Sequence, residues 1–269
     1  VLPIIRWRSR HFTAGATLIS SNAGRTPMTS NIATSLITKL TASNRLDSDD
    51  IQALQQLPIQ ERQVPAQHII VADGSRPKES CLLAEGFAYR AKITQDGKRQ
   101  VLSLHIPGEI PDLQSLYLNV MDHDFTTLTP CTLGFIPHEA IKALCKQRPN
   151  VAGALWRETL IDAAIFREWI VNVGRRSADE RMAHLFAEIH RRLRAVGRTS
   201  DGDFNFPITQ SDLGDCLGLS TVHVNRTLQE LRQEGIMQVE RPHYRILDHD
   251  KLEELAGFDP AYLHLEPTG

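Results

Sequence analysis

Several things that would each point to a function class are scarce in this sequence. Its four cysteines, Cys81, Cys131, Cys145 and Cys216, are scattered and form no CxxC pair, so neither a disulfide framework nor a zinc knuckle is expected. No apolar run reaches the roughly 18 residues of a membrane span, and the chain reads as soluble and cytoplasmic, without a membrane partner. Excess charge of one sign is missing too: 30 Lys and Arg stand against 32 Asp and Glu, a formal net charge of −2. Any nucleic-acid partner must therefore meet a local positive surface. There is no phosphate-cradling Gly-rich loop and no Ser/His/Asp set at informative spacing, so no catalytic residue is nominated, nor any metal or cofactor. Acidic residues are absent before Asp47. Residues 1–27 are expected to be a disordered upstream extension preceding Met28, with a transit peptide as the alternative.

What is present is ordinary globular sequence. The 269 residues, 41% hydrophobic and 23% charged, suffice for one large or two modest domains. From about residue 60 to 145 the runs "QHIIVADG", "SCLLAEGFAYRAKIT", "KRQVLSLHIPGE" and "TLTPCTLGFIP" are separated by turn signals such as Asp73-Gly74, Asp96-Gly97 and Pro107-Gly108. Short strands so spaced predict a sandwich or jelly roll. The period then lengthens to three and four residues, predicting a helix over 149–175 that Gly174 interrupts. Its apolar arc is too wide for one partner, and a second copy of the chain is expected on the rest. Leu155, Ile161, Ile165, Phe166 and Trp169 are the candidate dimer contacts.

Ser177 and Glu180 have capping-box spacing and predict a new helix that buries Met182, Leu185, Phe186, Ile189 and Leu193. The stretch "DLGDCLGLSTVHVNRTLQELRQEGI", residues 212–236, follows. Gly214 permits close helix contact, Gly218 a tight turn, and Leu213, Leu217, Leu219, Val224 and Leu228 a shared inner face. Thr209 or Ser211 can cap the first helix and Ser220 the second. Thr221, Val222, Asn225 and Arg226 then occupy the exposed start of the second helix, where a recognition helix reads base edges. "GIMQVERPHYRIL" supplies a hairpin wing. Thr209, Ser211, Ser220, Arg232, Arg241, His243 and Arg245 are candidate phosphate contacts. Bulk charge gives little help, since residues 175–247 hold 11 Lys and Arg against 10 Asp and Glu.

These residues resemble the Crp/Fnr superfamily of bacterial transcription regulators over about residues 50–247. The likeness is strongest in "ITQSDLGDCLGLSTVHVNRTLQELRQEGI", at Thr209, Gly214, Gly218, Ser220 and Arg226, and weaker at Gly74, Gly86 and "DGKRQVLSLHIPGE". It implies an α+β chain: an N-terminal cyclic-nucleotide-binding-like β jelly roll with N-terminal helices (28–148), a dimerisation helix (149–175), a winged helix-turn-helix (176–247), and a C-terminal helix and tail (248–269). The implied protein is a homodimer on an inverted-repeat operator in double-stranded DNA, with an RNA polymerase contact and Arg226 on a guanine. The family's usual glutamate is Val222 here, which loses an acceptor for cytosine and suits a thymine methyl.

The run after "PGE" departs from the family's cyclic-nucleotide binders. No arginine lies between Arg99 and Arg148, and Glu109 with Asp122-His123-Asp124 makes the segment acidic. The expectation is therefore a neutral or cationic effector near Glu109, Asp112 and Leu113, and not cyclic AMP. Met28–Ser80 contains no cysteine for an iron–sulfur cluster. Two alternatives stay open: a cupin-like metal enzyme using His105, Glu109 and His123, and an interaction module that does not bind DNA.

Overall fold

The computed structural model describes residues 31–266, so the expectation for residues 1–27 lies outside the described residues. Helices α1 (Asn31–Ser43) and α2 (Ser48–Gln55) precede seven strands: β1 (Gln60–Val64), β2 (Ile69–Val71), β3 (Glu79–Glu85), β4 (Ala88–Ile93), β5 (Arg99–His105), β6 (Asp124–Thr127) and β7 (Cys131–Pro137). They form two antiparallel sheets, ordered β1-β7-β3 and β2-β6-β4-β5. Between them Val71, Cys81, Leu83, Phe125 and Leu133 make a buried core, as alternating strands of a sandwich require.

The run "SCLLAEGFAYRAKIT", which reads as one strand, is two strands in different sheets. Gly86 makes the crossing: its φ is +92°, and an added Cβ would lie 2.6 Å from both Cys131 Sγ and Pro130 O. Only glycine tolerates that backbone and that approach. Strand β1 has an exposed, polar sequence and no apolar alternation, so only its pairing with β7 makes it a strand.

Helix α3 (His138–Gln147) leads into α4 (Pro149–Arg175), about 40 Å long at 1.5 Å per residue. Gly174 does not end α4; the helix runs through it, and only Arg176 and Ser177 are non-helical before α5 (Ala178–Ala195). Ser177 N donates to Glu180 Oε2 at 2.8 Å, half of the expected capping box. Beyond α5 come β8 (Asp203–Asn205), α6 (Gln210–Leu217), α7 (Thr221–Gln233), β9 (Met237–Glu240), β10 (His243–Ile246) and α8 (His249–Ala256). The polar residues before α6 thus supply β8 as a third strand beside β10 and β9.

Met182, Leu185, Phe186, Ile189 and Leu193 of α5 are all buried. One apolar core continues from Tyr89 and Leu104 in the sandwich, past Trp169, to Phe186, Leu213 and Tyr244. Phe87 and Phe206 meet across this seam with ring centroids 5.3 Å apart. The two halves are therefore packed together rather than linked as beads.

A buried histidine makes this packing sensitive to pH. His184 of α5 stacks on Tyr262 at 5.9 Å and meets Phe258 edge-on at 5.2 Å. Burial, aided by Arg176, pushes its pKa down to about 3. An unfolded histidine titrates near 6.5, so between these values the unfolded chain binds the extra proton. Stability from this group is full above pH ~6.5 and falls as pH drops toward 3, by about 2 kcal/mol at pH 5. Urea denaturation at pH 7 and 5 should show the loss, and His184→Leu should shrink it; an unchanged difference would refute the assignment.

Candidate nucleic-acid interface

Local chemistry fixes the two helices α6 and α7. Asp212 N donates to Thr209 Oγ1 at 3.1 Å and Thr209 N to Asp212 Oδ2 at 3.3 Å, a reciprocal capping box that starts α6. Gly218 ends it with φ +66°, and an added Cβ on Gly214 would lie 2.6 Å from Leu219 O. Ser220 Oγ accepts from His223 N at 3.3 Å and starts α7. Leu213, Leu217, Val224 and Leu228 are buried between the helices, with Leu219 half-buried at the turn.

That geometry turns Thr221, Val222, Asn225 and Arg226 outward together; Val222 is 79% exposed. Arg226 Nη2 lies 2.8 Å from His223 Nε2, and its Nε lies 3.7 Å from Glu230. Asn225 Oδ1 accepts from Gln210 Nε2 at 3.2 Å. Gln210 and His223 thus belong to this surface although the sequence reading passed over them. The i, i+3 spacing of His223 and Arg226 was the available signal.

Thr209, Ser211, Ser220, Arg232, Arg241, His243 and Arg245 are also exposed. The hydroxyls of Thr209 and Ser220 already serve as caps, and Arg245 lies 3.7 Å from Asp203 across the β8–β10 pair. Arg241 occupies the wing turn between β9 and β10. Arg232 stands apart: it is in the last turn of α7, about 16 Å along the axis from Thr221.

Two family models match this chain, the cyclic nucleotide-binding domain over residues 61–148 and the Crp-like helix-turn-helix domain over residues 180–255. The chain belongs to the Crp/Fnr superfamily. It is similar to the transcriptional activator protein FnrL of Cereibacter sphaeroides, with 28% identity over 222 residues, 80% of this chain and 87% of that one. Transcriptional activator protein anr of Pseudomonas aeruginosa is 26% identical over 61% of this chain and 67% of its own. The FixK2 structure from Bradyrhizobium japonicum shares the fold at TM-score 0.67 and 22% identity, covering 74% of this chain and 98% of that one. This Crp/Fnr protein is a transcription regulator with a DNA-binding helix-turn-helix, and not an enzyme. Among the described residues no helix is long and apolar enough to cross a membrane.

The cyclic nucleotide-binding-domain part of this Crp/Fnr chain holds a cavity of about 380 Å³ between β4, β5, the 108–114 segment and α4. Of the three expected effector residues, Glu109 and Leu113 line it. Asp112 does not: it is fully buried beneath β3, where its Oδ1 accepts from Cys81 N at 2.7 Å. Burial pushes its pKa up to about 7, against the bond from Cys81. The expected acidic character is also corrected. Glu109 accepts from Arg192 Nη2 at 2.9 Å through Oε1 and lies 3.0 Å from His105 Nδ1 through Oε2. Burial opposes its ionisation, but Arg192 and His105 outweigh that and hold its carboxyl below the usual range.

Cations do reach the cavity, from elements distant in sequence; three are neutralised there, while Lys92 is exposed and lies 3.9 Å from Asp73, which is outside the lining. Arg90 Nη1 pairs with Asp162 at 2.7 Å, Lys39 with Glu158 at 3.0 Å, and Arg192 with both Glu109 and Glu188. His105 and His123 each set Nδ1 against a carboxylate, Glu109 and Asp122, and His123 Nε2 has no hydrogen-bond partner among the described residues. Among the described residues no three His, Cys, Asp or Glu side chains converge as metal ligands, so the cupin-like set of His105, Glu109 and His123 is not assembled. Cys81 and Cys216 are buried in the cores, and burial raises both thiol pKa values.

The candidate dimer residues need the largest correction. Leu155, Ile161, Ile165 and Trp169 are buried within their own chain, and Phe166 is half-buried 5.6 Å from the Arg90 guanidinium. The exposed stripe of α4 is instead Gly153, Trp156, Leu160, Ala163, Arg167, Ile170 and Gly174, with Trp156 and Ile170 66% and 68% exposed. Alternating steps of three and four residues define a coiled-coil seam. The broad apolar arc was visible in the sequence, but only the position of the sandwich shows which side it takes.

Proposed function

We propose that the protein binds an inverted-repeat operator in double-stranded DNA as a homodimer, each subunit placing α7 in a major groove. The joint exposure of Thr221, Val222, Asn225 and Arg226 on the start of α7 carries this reading. In it, the Arg226 guanidinium forks onto a guanine, Val222 meets a thymine methyl, and Asn225 and Thr221 read neighbouring edges. Thr209, Ser211, Ser220, Arg241, His243 and Arg245 contact phosphates, and Arg232 reaches one farther along the helix. The stripe from Trp156 to Ile170 pairs with its copy, setting the two recognition helices about 34 Å apart.

The 28–148 region acts as the sensor, 149–175 as the dimer helix, 176–247 as the DNA-binding domain and 248–269 as an appended tail. Its effector is a small molecule other than cyclic AMP, since Arg90, Lys39 and Arg192 are each held by a carboxylate in the cavity and the remaining cation, Lys92, is exposed beside Asp73. A neutral molecule with an apolar body suits the cavity better. A bound dimer would present its flank to RNA polymerase, in the cytoplasm where DNA is found.

The test uses operator fragments obtained by affinity selection from genomic DNA. Arg226→Ala should lose roughly 1–3 kcal/mol per half-site and relax preference at one base pair. Arg241→Ala should weaken specific and random DNA alike and reduce the salt slope by about one phosphate per subunit. Neither should move the melting temperature much, both side chains being exposed. Equal losses on specific and random DNA for Arg226→Ala would pass the base-reading role to Asn225 or Thr221.

A further inference from the structure

The helix-turn-helix match ends at residue 255, but the described chain turns at Gly257, φ +54°, and crosses back over the molecule. Phe258 packs on His184 of α5, and Tyr262 donates its hydroxyl to Glu188 of α5 at 2.9 Å. Arg157 of α4 donates to the carbonyls of His264 and Glu266 at 2.8 and 3.3 Å, while its other terminal nitrogen donates to Ser43 O of α1 at 3.0 Å. A short tail thus joins α5 of the DNA-binding half to α4 and, through Arg157, to α1.

The same tail is a wall of the sensor cavity. Leu263, which is buried, and Leu265, half-buried, both line it. The cavity also contains Arg192 and Glu109. Arg192 Nη1 donates at 2.9 Å to Glu188, the carboxylate that receives the Tyr262 hydroxyl. The tail therefore meets the cavity twice, directly through two leucines and indirectly through Glu188 and Arg192.

We propose that Phe258–Leu265 is an intramolecular strap that closes the cavity and, by the same contacts, holds the DNA-binding half against α4. A ligand entering by this wall must displace the leucines, and their release frees the junction at Arg176–Ser177. The idea rests on the reading of this cavity as the effector site. Its hold is made of separable parts, the Tyr262 hydroxyl, the carbonyls taken by Arg157 and the apolar side chains of Phe258, Leu263 and Leu265, and none of them belongs to a sheet.

Two measurements on the full chain and its variants need neither DNA nor the natural effector, so they succeed or fail independently of the operator reading. One is the rate of trypsin cleavage after Arg175 and Arg176 in native buffer; the other is saturable binding of Nile red, an uncharged apolar dye. A chain stopped after Gly257 should be cut there about tenfold faster, since proteolysis tracks the open population, and should bind the dye where the parent does not. The Tyr262→Phe/Leu265→Ser variant, which removes one hydroxyl and one half-buried side chain, should shift both readings the same way and decides the matter if the stopped chain does not melt cooperatively. Parent-level cleavage or parent-level dye binding in a cooperatively melting variant overturns the proposal.

Discussion

Replacing Arg192 with methionine is expected to destabilise the protein by about 3–5 kcal/mol, the usual cost of removing one partner from a buried ion pair. Arg192 is 5% exposed, and its guanidinium serves Glu109, Glu188 and the Leu104 carbonyl, at 2.9, 2.9 and 2.8 Å. Without it two buried carboxylates face each other with no cation between them. Burial already lifts the Glu188 carboxyl above the usual range, despite Arg192, Tyr262 and Trp169. Loss of the arginine should push it further and favour a protonated Glu188. Thermal melting at pH 7 should fall by on the order of 10 °C for a chain of this size. Adding Glu109→Gln and Glu188→Gln should restore part of the loss, because the damage lies in the uncompensated charges and not in the missing volume. A melting temperature unchanged by Arg192→Met would mean that water or local rearrangement satisfies both carboxylates.

The second large effect concerns assembly. Leu160→Asp should weaken the proposed dimer by roughly a hundredfold to ten-thousandfold, because a two-fold seam loses two leucines at about 1.5–3 kcal/mol each. Operator binding should weaken with it, since one subunit then holds only one half-site. Phe166→Asp, a candidate by sequence alone, should leave the dimer intact and disturb the cavity beside Arg90 instead. Sedimentation at micromolar concentration separates the two variants: Leu160→Asp running as a dimer, or Phe166→Asp running as a monomer, would displace the seam from the exposed stripe.

Much of the DNA-binding half was legible in the chain because its determinants are local. A cap at Thr209, a left-handed glycine at 218, a cap at Ser220 and leucines at helical spacing each act within a few residues of themselves. Together they turn Arg226 and its neighbours outward whatever the rest of the molecule does. The jelly-roll class was likewise readable from strand length and turn residues, although β1 and β8 were missed, since neither has an apolar pattern and both exist through pairing with distant strands.

The sequence by itself determined the helix-turn-helix, the strand-rich N-terminal domain and the long α4 between them, since periodicity, caps and turn residues are short-range properties. Tertiary structure alone decided which face of α4 is free, for a helix apolar nearly all round carries no label until the sandwich covers one side and leaves Trp156, Leu160 and Ile170 on the other. It decided the cavity's electrostatics too. Glu109 looked like an unopposed acid because its counter-charge, Arg192, sits 83 residues away in sequence and reaches it only when α5 packs on β5. Ion pairs of that separation depend on how elements dock, and docking is the one property that no local pattern encodes.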